Sequence, residues 1–343
     1  MTIGAEQAGG PNGAIAEARS NGKILAALDL GTNNCRLLIA EPDGADYHVI
    51  DSFSRIVRLG TDLARRGRLS GAAMRRATAA IKVCADKMQS HAVDRARCVT
   101  TGACRLAGNT EDFIAHVHQE TGLALEVISS QEEARLAAAG AAPVFDYRRG
   151  HALIFDIGGG STELIWTRLG HAGEVEVLDM LSVPVGVTNL AERHGSGDLR
   201  AQFDAMVDET AQLFVRFERV NRIAAVMAEG DATMIGTSGT TTTLAGIHLG
   251  LKRYDRAKVD GLVMAPEIVD RVTAEVRATA LPRLAANGCV GRNRAQWVLP
   301  GTSILCALRR IWPGQGLIVA DRGVRDGILR DMLLDRPDGS AKS

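Results

Sequence analysis

The chain has 343 residues, of which 46% are hydrophobic and 23% are charged, as in an ordinary globular protein. This length suits two domains, because single hydrophobic cores stop growing at about 250–300 residues. Lysine plus arginine and aspartate plus glutamate each number 40, so no net charge points to nucleic acid or to an anionic membrane as a partner.

Residues 1–22 are rich in glycine, alanine and polar side chains and have no apolar core of a signal peptide, so we expect a disordered tail. A helix needs about 18–20 apolar residues to span a bilayer, and no apolar run in the sequence is that long. The six cysteines form no C-x-x-C pair and lie in apolar or helical segments, which favours buried, reduced thiols over a disulfide framework or a zinc site. We therefore expect a cytoplasmic protein.

The predicted secondary structure alternates strands and helices along the chain. In the first half, strand patterns cover residues 23–30, 35–41, 47–58, 98–101 and 125–128, and helical patterns cover 71–90, 109–121 and 131–140. In the second half, strands are predicted at 152–157, 163–167 and 174–183, and long helices at 199–220, 266–279, 295–312 and 323–334. Such alternation is typical of α/β layers.

One strand–turn–strand pattern occurs twice. An apolar strand ending in Asp29-Leu30-Gly31 is followed by a polar turn and a second apolar strand, and the same order recurs around Asp156-Ile157-Gly158. Because the repeat occurs once in each half, it indicates two related domains. A proline and a charged stretch at 142–149 mark the boundary. We predict domains at 23–145 and 146–335, whose last helix could pack back on the first domain, and a disordered tail at 336–343.

These two turns have the composition of phosphate-binding loops. Small residues expose consecutive backbone N–H groups, and such a concavity binds anions. An aspartate at the end of the leading strand can hold Mg²⁺, which prefers one or two carboxylates together with phosphate oxygens. Two facing turns would clamp one phosphoryl group from both sides. The alternative is that each glycine serves only its hairpin turn.

A third glycine-rich segment predicts a strand, a turn and the start of a helix. Its candidates for nucleotide or polyphosphate binding are Gly236, Thr237, Ser238 and Gly239. Helix N-termini favour anions, but the segment lacks the Gly-Lys-Ser/Thr of a Walker loop and the three-glycine dinucleotide fingerprint. An N-capped helix explains it equally well.

Five motifs together resemble one known family. They are Asp29-Leu30-Gly31-Thr32-Asn33-Asn34-Cys35-Arg36, Thr101-x-Ala103-x-Arg105-x-Ala107-x-Asn109, Ile128-Ser129-x-x-Glu132-Glu133-Ala134-Arg135-Leu136, Asp156-Ile157-Gly158-Gly159-Gly160-Ser161-Thr162-Glu163 and Asp321-Arg322-Gly323-Val324-Arg325-Asp326-Gly327. The chain is similar to the exopolyphosphatase/guanosine-pentaphosphate phosphohydrolase (Ppx/GppA) family over roughly residues 24–332. The resemblance implies an α/β fold of two ribonuclease-H-like (actin-like ATPase) domains with a central cleft.

The resemblance also implies roles for individual residues. Glu133 would be the general base that deprotonates the attacking water, and Glu163 would help to position that water or the metal. Asp29 and Asp156 would hold Mg²⁺. The terminal phosphates would be bound by Arg105 and by a set of turn residues: Thr32, Asn33, Gly158, Gly159, Gly160, Ser161 and Thr162.

Glu133 has a competing interpretation from its local sequence. Ser130-Gln131-Glu132-Glu133 fits the S-x-x-E capping box, in which the glutamate side chain binds the backbone at the start of a helix. The same glutamate could serve both purposes.

Two further features bear on substrate binding. The densest basic stretch, which a polyphosphate chain could lie against, comprises Arg55, Arg58, Arg65, Arg66, Arg68, Arg75 and Arg76. Arginine pairs well with phosphate oxygens, although charged helix faces are often only solvated. Asn189 stands where relatives often have arginine, which puts phosphate affinity or substrate choice in question.

The resemblance implies a Mg²⁺-dependent phosphoric anhydride hydrolase. Its substrate would be inorganic polyphosphate, guanosine pentaphosphate (pppGpp) or both, and its expected assembly is a homodimer, with no nucleic-acid or membrane partner. Two alternatives stay open: an ATP-dependent small-molecule kinase of the same superfold, and a non-catalytic sensor of polyphosphate or of an alarmone.

Overall fold

The computed structural model describes residues 24–44, 46–170, 175–194, 201–292 and 294–334. Within these ranges the chain forms strands β1 (Leu25–Leu30), β2 (Asn34–Asp43), β3 (Asp46–Ile56), β4 (Arg95–Thr100), β5 (Glu126–Val127), β6 (His151–Ile157), β7 (Thr162–Leu169), β8 (Val175–Val183), β9 (Ala232–Gly236), β10 (Val263–Met264) and β11 (Leu317–Val319).

The first half of the chain contributes helices α1 (Leu63–Arg66), α2 (Gly71–Ser90), α3 (Gly102–Leu106), α4 (Thr110–Thr121) and α5 (Ser130–Ala141), followed by a 3₁₀ turn (Ala142–Val144). The second half contributes α6 (Val187–Arg193), α7 (Phe203–Asn221), α8 (Ile223–Ala228), α9 (Gly239–His248), α10 (Arg256–Val259), α11 (Pro266–Ala278), α12 (Leu281–Ala286), α13 (Ala295–Ile311) and α14 (Val324–Leu334). None of the helices in the described ranges is long and apolar enough to cross a membrane.

The strands form two sheets with the same central order. The five-stranded sheet runs β3-β2-β1-β4-β5, and the six-stranded sheet runs β10-β11-β9-β6-β7-β8. In each, the strand that ends in the Asp-x-Gly motif pairs antiparallel with the next strand and parallel with a later one (β1 with β2 and β4, β6 with β7 and β9). The predicted repeat therefore corresponds to two sheets of related topology, and the predicted α/β class is confirmed.

Each sheet has its own apolar core. Beneath the first sheet, Leu28 and Leu37 pack against α2 and α4 through residues such as Ile81 and Phe113. Beneath the second sheet, a larger cluster joins β6 and β7 to α7 and α13 and includes the fully buried Trp312.

Helices α5 and α14 cross between the two sheets. Ala134 and Ala138 on α5 pack with Ile154 of the second sheet, whereas Leu136 of α5 and Ile328 of α14 pack with the first. Small residues permit this close crossing: a Cβ added to Gly327 would lie 1.9 Å from the Leu136 carbonyl oxygen. The last helix thus lies against the first sheet, although most of its neighbours in sequence belong to the second.

Most predicted segments lie within a few residues of the observed ones. Residues 1–23, 45, 171–174, 195–200, 293 and 335–343 lie outside the described part of the chain. The two predicted tails therefore lie outside it, as do the predicted first residues of three segments, at 23, 174 and 199. The six cysteines are free thiols; five are buried as predicted, and Cys306 is half-buried.

Candidate active site

The turns that follow β1 and β6 meet each other. Gly31 N donates to Asn34 O at 2.9 Å, and Gly158 N donates to Ser161 O, also at 2.9 Å, so both turns are closed by the same kind of hydrogen bond. A Cβ on Gly159 would lie 2.7 Å from Asn33 Nδ2. The repeated motifs therefore meet, with the Asn33 side chain lying against Gly159, so the two predicted turns do face each other.

In the second turn, three successive carbonyls are bound by the start of α6. Gly158 O accepts from Val187 N at 3.0 Å and Gly159 O accepts from Thr188 N at 2.8 Å, while Gly160 O accepts from Asn189 Nδ2 at 2.7 Å. Within the described ranges, the amides of Gly159, Gly160 and Ser161 make no hydrogen bond. Consecutive free N–H groups opposite bound carbonyls form an anion-binding nest.

Asn189 has a structural role that its sequence position does not disclose. Besides holding Gly160 O, its Nδ2 donates to Pro184 O at 3.0 Å and its Oδ1 accepts from Gly186 N at 2.8 Å. Gly186 must be glycine here, because a Cβ would lie 2.6 Å from Gly158 O. Asn189 therefore fixes the second turn.

The first turn is fixed by the chain that follows β3. Val57 N and Arg58 N donate to Asn33 O at 2.8 and 3.0 Å, and Gly60 N donates to Thr32 O at 3.0 Å. The Thr32 side chain lies between two glycines, since a Cβ on Gly60 would come within 2.4 Å of its Cγ2 and one on Gly102 within 2.8 Å of its Oγ1. The carbonyls of this turn are again bound, and the Thr32 and Asn33 amides donate to no group in the described part of the chain, so both are available to an anion.

Strand register brings the carboxylates to the ends of the hairpins. Asp29 pairs with Arg36 across β1 and β2. Asp156 pairs with Glu163 across β6 and β7, and Glu163 Oε1 accepts from Ser182 Oγ at 3.0 Å. Residues directly opposite each other on neighbouring strands project from the same face of a sheet, so each hairpin presents its aspartate beside one charged partner.

The pKa values of these carboxyl groups report their burial and crowding. Burial raises the pKa of Asp29 to about 6, with Arg36 and Arg325 acting in the opposite direction. Burial, and then the Asp156 charge, raise the pKa of Glu163 to about 7. Burial also raises the pKa of Asp156. The charge of Glu133 adds to all three upward shifts, which indicates that the four carboxylates share one electrostatic environment.

Glu133 lies on the first turn of α5, and its side chain does not cap this helix as the local sequence predicted. The N-cap is Ser129, whose hydroxyl accepts from Glu132 N at 3.1 Å, so the predicted capping register is wrong by one residue. Glu133 Oε2 instead accepts from Arg105 Nη1 at 2.7 Å, and the same nitrogen donates to Ile128 O at 3.1 Å. Arg105, predicted to bind phosphate, thus holds Glu133, while its Nε and Nη2 make no hydrogen bond within the described residues.

The donor set around the cleft suits Mg²⁺ better than a metal held by protein alone. Among the described residues, no group of three His, Cys, Asp or Glu side chains is placed to hold an ion. Asp29 and Asp156 are half-buried, and no donor of the described chain binds their carboxylates. Mg²⁺ commonly keeps several waters and binds one or two carboxylates plus substrate phosphates, so these two aspartates fit it as ligands.

The third glycine-rich segment lies beside the second turn. Gly236 pairs with Phe155 at the end of β6, and Thr237 N donates to Phe155 O at 3.0 Å. Ser238 is the N-cap of α9, accepting from Thr241 N at 3.5 Å, so the N-capped helix is real. The segment formed by Gly236, Thr237, Ser238 and Gly239 therefore adjoins the Asp156 hairpin at the same edge of the sheet.

Sequence reasoning missed two basic residues near the carboxylates. Arg36 acts on the pKa values of both Asp29 and Asp156, and Arg325, from the closing motif, reaches β2 by donating to Leu37 O at 3.1 Å. Counting register outward from the Gly31–Asn34 turn would have identified Arg36. No local signal identifies the position of Arg325, because it depends on how α14 packs.

The chain is similar to known proteins over most of its length. Residues 38–336 match the Ppx/GppA phosphatase family. The chain is 28% identical to the guanosine-5'-triphosphate,3'-diphosphate pyrophosphatase of Aeromonas salmonicida over 94% of its own length, but it spans only 62% of that relative. It is 32% identical to exopolyphosphatase 2 of Mycobacterium tuberculosis, over 68% of this chain and 74% of that protein.

A solved structure of a member of the same family has a similar fold. The crystal structure of the Aquifex aeolicus Ppx/GppA family member matches with a TM-score of 0.73 at 27% identity, covering 92% of this chain and 99% of that one. The predicted two-domain fold is confirmed by this match.

Proposed function

The chain belongs to the Ppx/GppA phosphatase family, and on that basis we propose that it hydrolyses the terminal phosphoanhydride bond of inorganic polyphosphate, of pppGpp, or of both. Relatives with either name are similar to it. We favour polyphosphate as the principal substrate.

One observation supports the proposal most strongly. Glu133, held by Arg105 at 2.7 Å, shares an electrostatic environment with Asp29, Asp156 and Glu163, at the place where two turns with free amides meet. A pure binding protein has no need of a carboxylate in such a position, whereas hydrolysis needs a proton acceptor beside the phosphoryl group.

In the proposed reaction, a water oxygen attacks the terminal phosphorus, the bridging P–O bond breaks, and Glu133 takes the proton of the water. The remaining polyphosphate or nucleotide leaves with the bridging oxygen. The free amides of the two turns hold the oxygens of the terminal phosphate, and Arg105 keeps the Glu133 carboxylate in one orientation. Because the transition state of phosphoryl transfer is loose, positioning and neutralisation of charge contribute most of the acceleration.

Asp29 and Asp156 would hold Mg²⁺, which supplies positive charge to phosphate oxygens when it is bound. Burial has raised the pKa values of both aspartates, and a cation would offset that unfavourable burial of negative charge. Glu163, held by Ser182, would position a water next to this site.

The proposal is tested by measuring phosphate release by the purified protein with Mg²⁺ from long-chain polyphosphate, pppGpp and ATP, with no acceptor alcohol present. Release from polyphosphate or pppGpp supports the hydrolase and identifies its substrate. If phosphate leaves ATP only when a sugar or carboxylic acid is added, the protein is a kinase. Tight binding without turnover would identify a sensor.

A further inference from the structure

A buried aspartate outside the four carboxylates of the candidate site joins elements of the two domains. Asp326 lies on the first turn of α14 and is 2% exposed. Its Oδ1 accepts from Tyr47 Oη at 2.6 Å and from Arg256 Nη2 at 3.1 Å, and its Oδ2 accepts from Gly323 N at 2.9 Å. Tyr47, Arg256 and Asp326 are called here the Asp326 junction, and the proposed reaction uses none of them.

The two side chains that donate to Asp326 come from different domains. Tyr47 belongs to β3 of the first sheet, whereas Arg256 begins α10, whose Val259 is buried in the core beneath the second sheet. Burial, and then the Asp326 charge, raise the pKa of the Tyr47 hydroxyl well above its ordinary value, so this hydroxyl stays a donor. One carboxylate oxygen therefore binds a group from each domain.

The junction lies where the chain returns from the second sheet to the first, and the second domain binds the connection from β11 to α14. Asp321 N and Arg322 Nε donate to the two carboxylate oxygens of Asp260, at 3.0 and 2.8 Å. Tyr254 Oη donates to Asp321 Oδ2 at 2.6 Å, and Arg256 Nη2 donates to Asp321 O at 2.8 Å. Arg256 therefore contacts both this connection and the helix that packs on the first sheet.

Directional contacts at this crossing bear on how the two phosphate turns meet. The first turn joins β1 to β2 and the second joins β6 to β7, so their separation depends on how the two sheets are held. Where α5 packs on the second sheet, the contacts are apolar: Ala134 and Ala138 lie against Ile154. Apolar burial is non-directional, whereas a hydrogen bond weakens steeply as its angle changes. The Asp326 junction therefore restricts rotation of the domains more than the apolar crossing does.

We propose that Tyr47, Arg256 and Asp326 are positioning residues that set how closely the two phosphate turns approach each other around a terminal phosphate, an assignment that rests on the proposed function. The three residues act through the turns, which carry the free amides, and not by touching the substrate. A misplacement of about 1 Å can lower a rate about 10²-fold, so a small change in the angle between the domains is sufficient for a measurable effect.

Stabilisation of the fold alone explains the junction less well. Buried ionic groups are often no better for stability than apolar side chains of similar size. Ile328 and Leu329, on the same helix, are already fully buried against the first sheet. A fully satisfied polar network adds a single, rigid arrangement of the elements that it joins, and that is what two facing turns need.

The test removes one hydroxyl group from the full chain with Mg²⁺, in the variant Tyr47→Phe, which keeps the ring and its packing and leaves Asp326 its other donors. Arg256→Met is the second variant, which removes the donor that the second domain supplies. The matched control is Tyr147→Phe, because the Tyr147 hydroxyl donates at 3.2 Å to Ala142 O, only five residues away along the chain.

We expect kcat/KM for phosphate release to fall about tenfold in Tyr47→Phe and about a hundredfold in Arg256→Met, and to stay within about twofold of the wild type in the control. The rates are measured well below the Tm of each variant. A contact that only stabilises the fold would lower the Tm and leave kcat and KM unchanged under these conditions, so the rates separate positioning from stability.

Small-angle X-ray scattering tests the junction without turnover. The wild type and the Tyr147→Phe control should have the same radius of gyration, and Arg256→Met a larger one, because the domains open at the junction. If the wild type hydrolyses neither polyphosphate nor pppGpp but the scattering changes in this way, the proposed function is wrong and the junction still sets the separation of the turns. An unchanged radius of gyration in Arg256→Met would overturn the inference. So would unchanged kcat/KM in both junction variants of an active enzyme, or an equal loss in the control.

Discussion

The crossing of α5 and α14 allows the sharpest single-residue test. In a Gly327→Ala variant, the new Cβ would lie 1.9 Å from Leu136 O, 2.7 Å from Leu136 C and 2.9 Å from Leu136 Cα. All three are backbone atoms, so no side-chain rotation relieves the overlap and the helices must separate by about 1 Å. Overpacking of this kind costs about 1–3 kcal/mol, and alanine in a helix regains about 0.5–1 kcal/mol relative to glycine. We therefore expect a net loss of about 1 kcal/mol in the free energy of unfolding.

The same displacement should affect catalysis, because Leu136 lies one helical turn after Glu133. A shift of about 1 Å in a catalytic group can lower the rate about 10²-fold. The free energy of unfolding from urea titration and the kcat for phosphate release are the two measurements. Gly323→Ala is the matched control, since a Cβ there would meet nothing within 4 Å. If the Gly327→Ala protein had the same free energy of unfolding and the same kcat as the Gly323→Ala control, the close helix crossing and its effect on Glu133 would be refuted.

Three further predictions concern the metal, the second turn and acid stability. Asp29→Asn should raise the Mg²⁺ concentration needed for half-maximal phosphate release by at least about tenfold, and an unchanged Mg²⁺ titration would exclude Asp29 as a ligand. Asn189→Ala should lower kcat/KM about tenfold, because it frees the Gly160 carbonyl at a cost of about 1–3 kcal/mol; an unchanged value would show that α6 alone fixes the turn. The hydrogen bond from Gly150 N, and then that from His151, lower the pKa of Asp231. The stability that Asp231 contributes is therefore present above its ordinary pKa and is lost as the pH falls through the lowered one. The Tm of Asp231→Asn should lie below that of the wild type at pH 7, and the gap should close below about pH 4.

The sequence was most informative where local pattern and topology agree. Asp29 and Asp156 each end an apolar strand before a turn of small residues, and that repeat predicted two hairpins of one kind. The structure brings both turns together through Asn33 and Gly159. Strand identity and hairpin register follow from alternation and turn length, which is why this part of the fold could be predicted.

The features that could not be predicted depend on contacts between distant segments. Adjacent serines at 129 and 130 offer two equivalent caps for α5, and the choice of Ser129 leaves Glu133 free to meet Arg105. The hydrogen bond from Asn189 Nδ2 to Gly160 O forms only when α6 packs beside the second turn. Neither contact leaves a pattern in the local sequence, because the partners are brought together by packing of the core.

The central claim is that Glu133 is the general base, and the most direct measurement is kcat for phosphate release by Glu133→Gln at saturating substrate and Mg²⁺. Glutamine keeps the size of the side chain and an oxygen that can accept from Arg105, but it cannot take a proton from water. We predict a kcat about 10²–10⁴-fold below that of the wild type, with substrate affinity and Tm little changed. A kcat within about threefold of the wild type would contradict the claim.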